Sequence, residues 1–128
     1  MQDAVQDWIQ SAQYDLETAG HMFRSGRHIY VVFMCHLALE KALKAKVQQV
    51  TRKAPPKTHD LKYLIELAGL APGENMESFL LALSNVSVIT RYPQDLQTAR
   101  KHFTKERARD TLTKTKEAFK WIKDSIRL

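Results

Sequence analysis

Ile29-Tyr30-Val31-Val32-Phe33-Met34-Cys35, then His36, then Leu37-Ala38-Leu39-Glu40-Lys41-Ala42-Leu43-Lys44-Ala45: the reading of this stretch decides the fold. Alone, the first seven residues fit a buried strand as well as a helix, because β-branched and aromatic residues favour a pleated surface. The second half is built from strong helix formers, and neither Gly nor Pro separates the two halves. Length and continuity therefore predict one helix from about Arg27 to Val50. Its first turns are apolar all round, so other chain must cover them on several sides. This helix is either the centre of a bundle or part of a subunit interface.

On the N-terminal side, Val5, Trp8, Ile9, Ala12, Leu16, Ala19 and Phe23 recur at helical spacing up to Gly26, which supplies a stop. Asp3, Asp7, Asp15 and Glu17 fall mainly off that stripe. On the C-terminal side, Pro55-Pro56 forces an extended connection. Thr58 or Asp60 can cap a third, short helix with Leu61, Leu64, Ile65 and Ala68 on one face. Gly69 and Pro72-Gly73 end it. A fourth helix is predicted from near Asn75, carrying Phe79, Leu80, Leu83, Val86 and Ile89, and Pro93 ends it near Arg91. Thr104 can cap the last helix, whose stripe is Ala108, Leu112, Thr115, Phe119, Ile122 and Ile126. The expected architecture is all-α: an antiparallel up-and-down helical bundle of four long helices plus one short helix, forming a single domain over residues 1–128.

The composition agrees. A chain of 128 residues with 44% hydrophobic content can bury a real core. Its single cysteine, Cys35, rules out an internal disulfide and reads as a buried, inert thiol. The N-terminus is polar and acidic with no leader pattern. No run approaches the roughly 20 apolar residues that span a bilayer. A cytoplasmic protein without membrane association is expected. The net charge of +6 is unevenly placed: residues 1–40 and 64–99 each sum to −3, while 41–63 and 100–128 each sum to +6. Such basic blocks suit polyanions such as RNA or nucleotides, although a lysine on a helix is most often simply solvated.

Several residues could carry chemistry. His36 and Glu40 stand one helical turn apart on one face. They could trade a proton or join a hydrogen-bonded pair, with Glu40 also reaching Lys44, or Glu40 could orient a base or arginine from another helix. No further acid or His sits at a supporting spacing on that helix, which argues against a metal. Asp60 is explained as a helix cap. His59 is not, and suits a phosphate-facing donor at a helix start. Arg91 offers a planar fork for phosphate, and Tyr92 could stack on a base. His102 follows Arg100 and Lys101 in an expected loop. His21 and His28 flank the first turn without a clear role.

Taken in order, the segment His36 to Ala45, Thr58-His59-Asp60-Leu61 with Leu64, and Thr90-Arg91-Tyr92-Pro93 resemble the HEPN domain. The opening segment with Ala12, Asp15, Leu16 and Ala19 before Gly26 fits its first helix. The resemblance implies an antiparallel helical bundle, often a homodimer, that associates with nucleotides or RNA. It also implies frequent pairing with a minimal nucleotidyltransferase, commonly as a toxin–antitoxin system. No cofactor is implied. Many members are metal-independent ribonucleases whose signature is an Arg followed, after four to six residues, by a His. Here Arg91 is followed by Tyr92, Pro93, Gln94, Asp95, Leu96, Gln97 and Thr98, with no His in the window, and His102 lies too far along.

Three readings follow. The first is a nucleotide- or RNA-binding module acting with a nucleotidyltransferase, its phosphate site drawn from His36, Glu40, Lys41, Lys44, His59, Asp60, Arg91 and Tyr92. The second is a metal-independent endoribonuclease toxin, with Arg91, His59 and His102 as catalytic candidates. The third is a non-catalytic adaptor that presents the apolar surface of its second helix.

Overall fold

The computed structural model describes residues 2–89 and 96–127. Six helices follow in order: α1 Gln2–Arg24, α2 His28–Thr51, α3 Leu61–Ala68, α4 Glu74–Ile89, α5 Leu96–His102 and α6 Lys105–Asp124. The described residues contain no strand. No helix among them is long and apolar enough to cross a membrane.

α2 is the axis of the bundle and touches every other helix. Val31, Val32, Cys35, Ala38, Leu39, Ala42, Leu43, Ala45 and Val47 are all buried, and they point to several sides of the helix. The apolar start of α2 is thus covered largely by the chain's own core, the first of the two possibilities that its all-round apolar character allows. α1 lays Val5, Ile9, Ala12 and Ala19 against it. α6 closes the opposite side with Ala108, Leu112, Thr115, Phe119 and Ile122.

The turns follow their residues. Gly26 has φ +78°. The Arg27 amide donates to the Met22 carbonyl at 2.8 Å, the six-to-one closure that ends a helix through a left-handed glycine. Gly69 ends α3 in the same way, with the Leu70 amide on the Ile65 carbonyl. Asp60 caps α3 by accepting from the Tyr63 amide at 3.3 Å, and Thr104 caps α6 by accepting from the Arg107 amide at 3.2 Å. The end of α2 differs: Arg52 occupies the left-handed region at φ 61° without being glycine.

Three expectations need correction. His102 is not in a loop but ends α5, an additional short helix held to the core by Ala99. Leu96-Gln97-Thr98-Ala99-Arg100-Lys101-His102 has no apolar stripe to betray it. Asp15, expected off the buried face of α1, is 7% exposed, because Lys41 of α2 reaches it at 2.8 Å. Lys46 is not solvated: it donates to the Ser125 carbonyl at 2.7 Å and ties α2 to the end of α6. The side chains of Val86 and Ile89 lie outside those described.

Candidate functional site

A row of three polar side chains crosses the apolar surface of α2. His36, Glu40 and Lys44 are each one turn apart, so the helix stacks them on one face. All three are buried, at 0%, 4% and 7% exposure. A carboxylate in such a place is costly unless both oxygens are satisfied. Lys44 Nζ donates to Glu40 Oε2 at 3.1 Å. The same ammonium lies 5.7 Å from the centre of the Trp8 ring, whose indole N–H donates to Gln48 Oε1 at 3.0 Å. The lysine is thereby held between an anion and an aromatic face.

The other Glu40 oxygen is reached from outside the helix. After α2 the chain passes through Pro55-Pro56, and a turn forms in which the Thr58 amide donates to the Pro56 carbonyl. The Asp60 amide then donates to Thr58 Oγ1. This return path brings His59 back over the middle of α2. His59 Nδ1 donates to Glu40 Oε1 at 2.8 Å. His36 Nε2 donates to the His59 backbone carbonyl at 3.0 Å, and its other ring nitrogen lies 3.7 Å from Glu40 Oε1. Two buried side chains therefore grip one residue, Glu40 by its ring and His36 by its backbone. The side chain so gripped is 60% exposed.

The direction of the protons follows from the partners. A carboxylate facing Lys44 and His59 accepts, so His59 carries a proton on Nδ1. Its Nε2 edge is then left to act on something outside the protein. The α3 start behind it is pinned as well, since the Leu61 amide donates to Ser84 of α4 at 3.2 Å. In the same connection, Arg52, Lys53, Lys57 and Lys62 are exposed. The arrangement is a fixed imidazole on a positively charged rim, with its counter-charge underneath.

The HEPN domain model matches residues 5–125. The chain belongs to the HEPN domain family. It is also similar to two solved structures: TT1696 from Thermus thermophilus (20% identity, TM-score 0.75, covering 95% of this chain and 98% of that one), and ST0689, an archaeal HEPN homologue (20% identity, TM-score 0.74, covering 96% and 98%). At that identity the likeness is one of fold. No curated protein matches the chain.

Within this HEPN domain the candidates taken from the sequence separate into groups. His36, Glu40, Lys44 and His59 come together. Asp60 adjoins them but spends its carboxylate on the α3 cap. Lys41 turns to α1, where it pairs with Asp15 and donates to Ser11 Oγ at 2.7 Å. His102 receives Arg107 Nη1 at 2.9 Å and meets Phe103 edge-on. It lines a separate cleft with Phe79 and Leu83. Arg91 and Tyr92 lie outside the described residues. Among the described residues, no group of three or more His, Cys, Asp or Glu is placed to hold a metal ion.

The reach of Glu40 to Lys44 was expected from the sequence and is present; the place of Trp8 against Lys44 and the grip of His36 on the His59 backbone were not. The i, i+4 spacing of Glu40 and Lys44 was the one available sign. Cys35 is a further titratable group of the interior. Burial pushes its thiol up to about 12, against a smaller lowering by the Thr115 hydroxyl beside it.

Proposed function

We propose that this HEPN domain binds the phosphate of a nucleotide or RNA beside His59, works as a homodimer and acts with a minimal nucleotidyltransferase. The observation that carries the reading is the exposed His59 imidazole, fixed by buried Glu40 and His36. Burying a carboxylate and an ammonium under one surface ring is a large outlay for a merely structural end, since apolar side chains of the same volume usually serve stability as well or better. The exposed cations of the α2–α3 connection supply long-range attraction for a polyanion. Arg91, one residue before Tyr92-Pro93, is the further anion-binding candidate of this reading.

The test is fluorescence anisotropy of a labelled single-stranded RNA across a salt series. Affinity is expected to fall with salt, since displaced counterions drive such binding. His59→Ala and Arg91→Ala are each expected to weaken it. A protein with no measurable affinity at low salt leaves only the adaptor reading.

One observation favours a second reading. A ring nitrogen held by a buried carboxylate, with the other nitrogen outward, is the arrangement that general acid–base catalysis requires. Metal-independent RNA cleavage that persists in chelator and disappears with His59→Ala supports a ribonuclease. Absence of cleavage in the wild type removes it.

A further inference from the structure

Residues 100–128 sum to +6, and the site around His59 uses none of that charge. On α6 the charges are sorted by sign. Lys105, Arg109, Lys116, Lys120 and Lys123 follow in steps of four, seven, four and three, which keeps them within a strip of about 60° on the helix. All five are exposed. The acids Glu106, Asp110, Glu117 and Asp124 fall on the neighbouring strip. Among the described residues, Lys120 alone of the five is ion-paired, 2.7 Å from Asp124, in an exposed pair that is easily exchanged. Such sorting works against the helix. Lys105 with Arg109, Lys116 with Lys120, and Lys120 with Lys123 are like charges three or four residues apart. A surface that serves solubility alone does better with the signs mixed, as Lys114 and Asp110 are, 3.1 Å apart and off the row.

The row runs for about 27 Å along α6 and forms one lip of a groove against α1. That groove has a volume of about 390 Å³ and is lined by Leu16, Glu17, Gly20, His21 and Arg24 of α1 with Lys116 of α6. Arg24 donates to His21 Nδ1 at 2.9 Å, and Arg109 lies 5.5 Å from the centre of the Phe23 ring of α1. Cations therefore stand on both lips, against the single acid Glu17. No aromatic ring lines the groove for the bases of a single strand to stack on. The lips offer no bulky apolar side chain to a lipid surface, and lysine is scarce at the centre of protein interfaces. A straight row of point charges fits a stiff row of anions. A double helix is such a row, with one phosphate per about 1.7 Å of axis. We infer that the α1–α6 groove binds the backbone of duplex DNA through its phosphates, without regard to sequence. This surface is separate from the His59 site, which sits on the α2–α3 connection.

The experiment follows a short labelled DNA duplex, and one of its strands alone, by anisotropy across a salt series. The proteins are the wild type, the double variant Lys116→Gln with Lys123→Gln, and Lys114→Gln. The last removes a like charge from the same helix but off the row, so it separates geometry from net charge. All three positions are exposed, and circular dichroism checks that the variants keep the fold. The wild type is expected to bind the duplex more tightly than the strand. Each phosphate contact is worth about tenfold at about 50 mM salt, so the double variant is expected to lose about a hundredfold there. Its salt slope is expected to be shallower by about two. Lys114→Gln is expected to change neither. A strand bound as tightly as the duplex overturns the inference. So does a double variant that behaves like Lys114→Gln, which would assign the effect to net charge or to cations elsewhere. Absence of duplex binding at low salt overturns it as well. None of these outcomes touches the His59 reading, whose probe is single-stranded RNA.

Discussion

Glu40 is a charge in a place that ordinarily excludes one, and its neighbours show what keeps it there. Lys44 and His59 each occupy one oxygen, so removing the carboxylate leaves a 9% exposed ammonium beside the Trp8 ring without its counter-charge. Glu40→Ala is therefore expected to lower unfolding free energy by about 3–5 kcal/mol, the usual result of orphaning half of a buried pair. Chemical denaturation measures it, and a loss below about 1 kcal/mol would mean that the pair behaves like a surface one. Cys35 gives the pH prediction. Its folded thiol titrates at about 12 against an ordinary value of 9.0. Between those values the unfolded chain gives up a proton that the folded chain keeps, so stability drops as pH rises through that window. The wild type is expected to lose on the order of 1 kcal/mol per pH unit more than Cys35→Ala there. Parallel stability curves for the two proteins would contradict that burial.

At the scale of elements, punctuation and period were legible. Gly26, Pro55-Pro56 and Gly69, with apolar spacing on α1, α3 and α6, marked helices that the structure contains. α5 was not legible, because a short, mostly polar segment with a lone buried Ala99 makes no pattern. The site was half legible. The spacing of His36, Glu40 and Lys44 put them on one face, and His59 stood out as a residue that capping did not explain. The meeting of His59 with Glu40 could not be read, since it spans nineteen positions and depends on the path of the proline connection. Nor could the fates of Lys41 and Lys46, because a helix buried on all sides gives no polar face from which to tell a solvated lysine from a strut. The same connection yields a prediction. Arg52 ends α2 in a left-handed conformation that costs a residue with a Cβ about 1–2 kcal/mol. Arg52→Gly relieves that strain and loosens the unfolded chain, for a net gain of about 0.5–1 kcal/mol. Thermal melting reads this out, and a lower melting temperature would show that the arginine side chain holds the turn in some other way.

At the scale of the whole molecule, one helix serves both core and site. α2 gathers the other five helices around it, and its single polar row lies under the connection to α3. Three lysines that count toward the basic segment, Lys41, Lys44 and Lys46, are spent inside the fold. Attraction for a polyanion beside His59 therefore rests on Arg52, Lys53, Lys57 and Lys62, all exposed. The homodimer of the proposed function predicts a mass twice 14.8 kDa in light scattering at micromolar concentration. A monomer under those conditions would confine the ligand site to a single copy.

The central claim is that the imidazole held by Glu40 meets the ligand. Following the nitrogen-15 resonances of all five histidines while single-stranded RNA is added tests it most directly. The account predicts that the His59 ring shifts most, saturates with the bound fraction, and loses this response in Glu40→Gln. Saturable binding with His59 unmoved, and the changes gathered instead on His21, His28 or His102, would contradict it.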